Sequence, residues 1–217
     1  MEATVLIADD HPLFREAMRL VVSSALGEGS EIVECESLDA ALDVVRCNPA
    51  IELAMIDINM PGMDGLAGLV RLRQRAPTLP VIVVSADERH STVEAAMSVG
   101  ASGFIPKSFS REIMTEAVNA VLGGDIYLPP SLAGRDTGAH GSSPEQLQDL
   151  ASRLALLTKQ ERCVLDYIVN GKSNKVVAIE LNIAESTVKA HVSAILRKLK
   201  VSSRTQAVIK VGALLLM

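Results

Sequence analysis

The sequence predicts an α/β fold, a doubly wound five-stranded parallel sheet, followed by a small all-α helix-turn-helix domain. Three observations lead there. Over residues 1–125, five short apolar runs alternate with five amphipathic segments. A Pro/Gly/Ser-rich stretch at 129–143 interrupts the alternation. Beyond residue 154 the periodicity is helical only.

The apolar runs are Val5–Ala8, Ile32–Cys35, Leu53–Ile56, Val81–Val84 and Gly103–Ile105. They are short, mostly aliphatic or β-branched, and bounded by turn or charged residues, which is the pattern of strands buried on both faces. Between them lie helical segments at Leu13–Ala25, Leu38–Arg46, Leu66–Arg75, Thr92–Val99 and Arg111–Leu122. Ser37 and Ser110 stand where N-caps belong, and Gly100 and Gly123-Gly124 stand where helices stop. Repeated strand–helix units place helices on both faces of one sheet. A further helix is expected from Pro144, with Ser143 as its cap. Thr158-x-x-Glu161 is a capping box opening a helix to about Asn170, which Gly171 ends. Ser173 caps a short helix to Leu181, a turn follows at Asn182–Ala184, and a longer helix runs to about Lys200. Ser203-x-x-Gln206 is a second capping box and opens the last helix. The expected division is residues 1–125, a linker over 126–153 that accommodates a short helix, and residues 154–217.

Composition narrows the function. Of 217 residues, 48% are hydrophobic and 22% charged, a globular balance that excludes a largely disordered chain. No apolar run approaches the roughly 18 residues a spanning helix needs, and no basic region precedes the first apolar stretch. A cytoplasmic protein without membrane contact is expected. Cys35, Cys47 and Cys163 lack Cys-x-x-Cys spacing and read as reduced, buried thiols. The aromatics are few (Phe14, Phe104, Phe109, Tyr127 and Tyr167), so the stacking platforms that read single strands are missing and a duplex is the expected nucleic acid. Charge is segregated: residues 1–130 hold 9 Lys+Arg against 19 Asp+Glu, and residues 131–217 hold 12 against 7. An acidic half suits a cation; a basic half suits a phosphate backbone.

Parallel sheets bind ligands beyond the carboxyl ends of their strands. There the sequence places Asp9-Asp10, Asp57, Ser85 and Lys107. If the first strand neighbours the third, three carboxylates converge and repel one another, and a hard cation such as Mg²⁺ offsets them. One carboxylate is then free to attack phosphorus, with Lys107 and the ion neutralising the transferring oxygens. The alternative is a solvated Asp9-Asp10 loop with Lys107 in a structural ion pair. An aspartyl-phosphate phosphatase is a second alternative, but that chemistry wants Asp-x-Asp after the first strand.

In the helical end, Val188, Val192, Ile195, Leu196 and Leu199 form one apolar stripe, and Ser186, Thr187, Lys189, Ala190, Ser193 and Arg197 occupy the remaining arc. Small residues beside isolated cations suit close approach to a duplex groove. The last helix, with Val208, Ile209, Val211, Leu214 and Leu215, is apolar on several sides and is expected to serve partly as a dimer contact through Val208, Val211 and Leu215.

Two resemblances follow from these residues. Asp9-Asp10, Asp57 with Met60-Pro61-Gly62-Met63-Asp64-Gly65, Ser85-Ala86 and Phe104-x-x-Lys107 resemble the receiver domain of bacterial response regulators. The resemblance implies a flavodoxin-like sheet of order 2-1-3-4-5 and Asp57 as phospho-acceptor. It also implies Mg²⁺ on Asp10, Asp57 and the Asn59 carbonyl with Asp9 through water, Ser85 as switch hydroxyl, and Phe104 as an aromatic that moves inward behind it. Lys107 becomes the required cation, and a sensor histidine kinase the phosphoryl donor. Here Pro106 precedes Lys107 and Ser108 follows it, where many receivers have Pro after the Lys.

Leu157-Thr158-x-x-Glu161, Gly171-x-Ser173-Asn174-Lys175, Ala178-x-x-Leu181, Ile183, Thr187-Val188-Lys189-x-His191-Val192 and Lys198-Leu199 resemble the LuxR-type DNA-binding domain. The resemblance implies that Thr187–Lys200 is the recognition helix, with Lys189 and Lys175 facing promoter DNA and His191 in a structural or phosphate-positioning role. Ala184 stands where that family commonly has a Ser or Thr cap, so Ser186 or Thr187 is expected to start the helix instead. Receiver then LuxR-type domain is the order of the NarL/FixJ class: a transcription factor that changes its own phosphorylation state but turns over no metabolite, acting as a homodimer. A phosphorylation-independent DNA-binding dimer is the third reading.

Overall fold

The computed structural model describes residues 3–27, 29–128, 144–201 and 203–215. Strands β1 (Thr4–Ala8), β2 (Glu31–Cys35), β3 (Ile51–Asp57), β4 (Val81–Ser85) and β5 (Gly103–Pro106) alternate with helices α1 (Pro12–Leu26), α2 (Leu38–Cys47), α3 (Leu66–Arg75), α4 (His90–Val99) and α5 (Arg111–Gly123). The sheet is parallel with order β2-β1-β3-β4-β5, as expected. Alternate strand residues feed two cores. Leu6, Ala8, Ile56, Val83 and Phe104 pack with Leu38, Leu69, Leu72 and Val93 of α2, α3 and α4. Val5, Ile7, Met55, Ile82, Val84 and Ile105 pack with Met18, Val22, Ala117 and Val118 of α1 and α5. Burial on both faces is why the central strands read as continuous apolar runs. The edge strand β2 breaks that pattern, with exposed Glu31 and Glu34, a charged edge that resists further pairing.

Ser37 caps α2 by accepting from the Ala40 amide, and Gly100 ends α4 in the left-handed region. Ser110 holds the N-cap position of α5 without a side-chain cap bond. The chain stays with the sheet past residue 125. Tyr127 bridges Gly103, donates its amide to the Ser102 carbonyl and accepts from the Phe104 amide.

The second half contains α6 (Pro144–Ala155), α7 (Lys159–Val169), α8 (Asn174–Leu181), α9 (Glu185–Leu199) and α10 (Arg204–Leu215). Ser143, the expected cap of α6, lies outside the described residues. Leu150 and Leu154 pack into the same core as Val164, Ile168, Val188, Val192, Ile195 and Leu199. Arg153 also donates to the Leu199 carbonyl at 3.2 Å. Packing therefore assigns α6 to the helical half and residues 126–128 to the sheet half, so the expected linker over 126–153 narrows at both ends. The Thr158/Glu161 capping box is complete, and Ser173 caps α8. In the second box Ser203 accepts from the Gln206 amide, but the Gln206 side chain reaches the other half and donates to the Ser98 carbonyl at 2.5 Å.

Three expectations are corrected. Cys35 is buried, but Cys47 at the end of α2 and Cys163 on the outer side of α7 are exposed. Val211 is a core residue, and Val208 is half-buried against the same core, because α10 turns that stripe inward onto α7 and α9. Neither is a free dimer surface, and the side chain of Leu215 lies outside the described residues. Helix α9 starts at Glu185, with Ala184 as an N-cap that has no side-chain bond; its carbonyl accepts from the Thr187 and Val188 amides. The start does not shift to Ser186 or Thr187, because backbone bonds alone close the first turn.

Candidate functional site

Order β2-β1-β3 makes β1 and β3 neighbours, so their carboxyl ends deliver Asp9, Asp10 and Asp57 to one place. The Asp57 side chain is 1% exposed and Asp9 is 0% exposed. Lys107, from the turn after β5, closes over both: its Nζ lies 2.8 Å from Asp57 Oδ2 and 2.6 Å from Asp9 Oδ2. The same ammonium sits 4.6 Å from the centroid of the Phe14 ring, a cation–π contact. Burial pushes the Lys107 pKa down, but hydrogen bonds and charge from Asp57 and Asp9 outweigh it and hold the ammonium above its ordinary value. Lys107 thus stands as the counter-charge to both buried carboxylates.

Asp57 Oδ1 accepts the Asn59 amide at 2.9 Å. Ser85 is fully buried, and its Oγ accepts from Asn59 Nδ2 at 3.3 Å and from the Asp87 amide at 3.0 Å. With two lone pairs taken by N–H donors, the hydroxyl hydrogen is the valence left to donate. Asp87 in turn binds Arg89 and, at 2.9 Å, the Thr92 hydroxyl, so the Ser85 loop is tied to the first turn of α4. Those bonds hold the Asp87 carboxyl well below the usual carboxylate range. Ser108, after Lys107, donates to Glu88 Oε1 at 2.5 Å, which ties the loops after β4 and β5 together. Phe104 is fully buried in the core. The ring lies in the core shared with Val93 and Ala96 of α4.

The residues fit a divalent cation. Ligand atoms of Asp9, Asp10, His11 and Asp57 all lie within 4.8 Å of one another. The buried Asp10 Oδ1 accepts no hydrogen bond among the described residues, which leaves a hard oxygen for an ion. The Asn59 side chain, His11, Asp87 and Phe14 are members of the site that strand-end reasoning does not reach. Arg15 is another. It is buried, donates to the Asp9 carbonyl at 2.7 Å, and is itself held by Glu34 and Glu36.

On α9, Ser186, Thr187, Ala190, Ser193 and Arg197 are exposed, opposite the buried stripe. Lys189 is not free. Its Nζ pairs with Glu185 at 3.3 Å and donates to the Pro49 carbonyl, just before β3, at 3.2 Å. His191 is half-buried beside the stripe. The two halves meet around a cavity of about 320 Å³ lined by Glu52, Asp125, Lys175, Glu185, Lys189 and Arg204 among others. Burial, and then the charge of Glu185, push the Glu52 pKa up against the opposing pull of Lys175 and Lys189. This contact lies at the amino ends of the strands, across the sheet from Asp57.

The family model described as the response regulator receiver domain matches residues 5–119, and that of bacterial regulatory proteins of the luxR family matches residues 155–211. The chain is 46% identical over 216 residues to the glycerol metabolism activator of Pseudomonas putida, covering 96% of this chain and 94% of that one. It is 33% identical to the nitrate/nitrite response regulator NarL of Escherichia coli K12, covering 95% and 94%. A LuxR family DNA-binding response regulator from Silicibacter pomeroyi superimposes with a TM-score of 0.53 at 32% identity, covering 59% of this chain and 98% of that one. The RcsB response regulator of Salmonella typhimurium shares the fold, with a TM-score of 0.56 at 20% identity and 98% of each chain covered. Sheet order, acidic pocket and helical half agree with these matches: the chain belongs to the NarL-type response regulators, with a receiver domain followed by a LuxR-type DNA-binding domain.

Proposed function

We propose that Asp57 accepts a phosphoryl group from the phosphohistidine of a sensor kinase and that this modification releases the DNA-binding half. The observation that carries the reading is the convergence of Asp9, Asp10 and Asp57 under one lysine, with ligand atoms within 4.8 Å of one another. Asp10, Asp57 and the Asn59 carbonyl, with Asp9 behind, would hold Mg²⁺, which when bound would supply charge neutralisation for the transferring oxygens. Asp57 Oδ2 attacks phosphorus as the P–N bond to the kinase histidine breaks and the imidazole leaves, taking up a proton from solvent, while the ammonium of Lys107 moves from the carboxylate to the phosphoryl oxygens. Ser85 then donates its free hydroxyl hydrogen to the phosphoryl group. That movement draws on Asn59 and Asp87, and through Asp87 on the first turn of α4.

The consequence reaches the helical half because Ser98, on α4, holds Gln206 of α10, and Pro49 holds Lys189 of α9. Release of those contacts frees Lys189, which then meets duplex promoter DNA together with Lys175 and the exposed Ser186, Thr187, Ala190, Ser193 and Arg197. Two copies then bind two half-sites as a dimer. This reading divides the chain into a receiver to residue 128 and a DNA-binding half from residue 144, supported by the Tyr127–Gly103 bridge and by Leu150 in the helical core. Cytoplasmic action is consistent with the absence, among the described residues, of any helix long and apolar enough to cross a membrane. The relative named as an activator favours activation of transcription as the output.

The test is incorporation of label from phosphoryl-labelled acetyl phosphate with Mg²⁺. Wild type labels at Asp57, and Asp57→Asn does not. Label retained at that site in Asp57→Asn contradicts the assignment, and steady turnover of a phosphate monoester favours a phosphatase instead.

A further inference from the structure

We propose that Phe14 is a positioning residue for phosphoryl transfer, its ring face holding the Lys107 ammonium over the acceptor carboxylate. The inference rests on reading Asp57 as the phospho-acceptor. Phe14 stands in the first turn of α1, which begins just after Asp9 and Asp10. The Phe14 amide donates to the His11 carbonyl at 3.1 Å, and the neighbouring Arg15 donates from its guanidinium to the Asp9 carbonyl at 2.7 Å. Those bonds fix the turn against the end of β1. The ring is half-buried and packs on the core shared by α1, α5 and the sheet. Its centroid lies 4.6 Å from Lys107 Nζ.

A lysine ammonium is a point charge on a flexible four-carbon stem, so its placement has to be imposed. In the resting state Asp9 and Asp57 impose it, at 2.6 and 2.8 Å. The Asp57 contact is lost when that oxygen bonds to phosphorus. Phe14 is neutral and held by its helix, so its attraction for the ammonium is unchanged by the reaction. It restricts the ammonium without neutralising it, which leaves the charge available to the phosphoryl oxygens. The Lys107 side chain is 16% exposed, and a cation–π contact is stronger there than on an open surface.

The experiment uses full-length protein, acetyl phosphate and Mg²⁺. Asp57 Oδ2 bonds to phosphorus, the phosphorus–oxygen bond to acetate breaks, and acetate leaves as the anion. Fluorinating the Phe14 ring at one, two and three positions drains its face of electron density and nearly preserves its shape. The labelling rate is expected to fall stepwise, by about tenfold at three fluorines, with the urea midpoint unchanged. Phe14→Leu is expected to lose about as much, and Phe14→Tyr to stay within about twofold of wild type. The Lys107 ε-methylene proton signals are expected upfield in wild type and at their ordinary position in Phe14→Leu. Equal rates across the fluorinated series, or a wild-type rate in Phe14→Leu, overturn the role of Phe14 and leave Asp57 as acceptor. Label still taken at position 57 by Asp57→Asn overturns the acceptor reading itself, and the inference with it.

Discussion

Lys107 touches Asp9, Asp57 and Phe14 at once, and its charge is the counterweight to two carboxylates that are almost completely buried. Removing one partner of a buried ion pair leaves an uncompensated charge, a loss of about 3 kcal/mol or more. Lys107→Met keeps the methylene stem against Phe14 but removes the charge. It is expected to lower unfolding stability in urea by about 3 kcal/mol without divalent cation. Added Mg²⁺ is expected to recover part of the loss, because the ion supplies the positive charge the side chain no longer does. A variant as stable as wild type in chelator would show that Asp9 and Asp57 do not depend on the lysine. Asp9, Asp10, Asp57, Ser85 and Lys107 could be picked out from the sequence because each stands at the end of an apolar run. His11, the Asn59 side chain and Asp87 could not, since their roles depend on where a side chain turns within a loop.

At the level of elements, the capping box of α7 shows how a local signal acquires tertiary weight. Glu161 accepts the Thr158 amide at 2.7 Å, as the spacing predicts, and also the Lys198 ammonium from α9 at 2.6 Å. The Lys198 hydrogen bond, helped by Thr158 and opposed by burial, holds the Glu161 carboxyl below its ordinary value. A depressed carboxylate pKa contributes stability that is present above the unfolded value, about 4.3, and is lost as pH falls through the folded value. Glu161→Gln is therefore expected to be less stable than wild type at neutral pH, with the gap narrowing in acid. Urea unfolding across that range checks it, and a gap independent of pH would contradict it. The α9–α7 contact involved is invisible to a local pattern, since Lys198 reads in sequence as one more basic residue of the recognition helix. The last helix illustrates the opposite error. Val211 lies on an apolar side of a terminal helix, which suggests a dimer surface, yet the bundle closes on it.

Across the molecule, the two halves touch where backbone meets backbone. A Cβ on Gly124 would stand 2.1 Å from the Gly171 carbonyl oxygen, and Gly124 has φ +103°. The close approach and the left-handed backbone both require glycine. Gly124→Ala is expected to push the halves apart, raising the radius of gyration in small-angle scattering and the amide exchange of α9. Gly123→Ala is the control, because nothing lies within 4 Å of a Cβ there. Scattering unchanged in Gly124→Ala would show that the contact does not hold the halves together. The linkage matters because Lys189 is sequestered by Pro49 and Glu185 at the end of the sheet opposite Asp57. A signal at the acidic pocket must therefore cross the domain through α4 or the strands to reach it.

The sequence by itself determined the sheet, its helices, the five strand-end residues of the pocket and the buried stripe of the recognition helix. These depend on periodicity and on short-range caps, which are properties of neighbouring residues. Only the tertiary structure decided that Phe104 is inside, that Val211 is core, that His11 turns toward the acids and that Lys189 faces the other half. Each of those depends on the packing of segments far apart in the chain, where no local pattern carries the information.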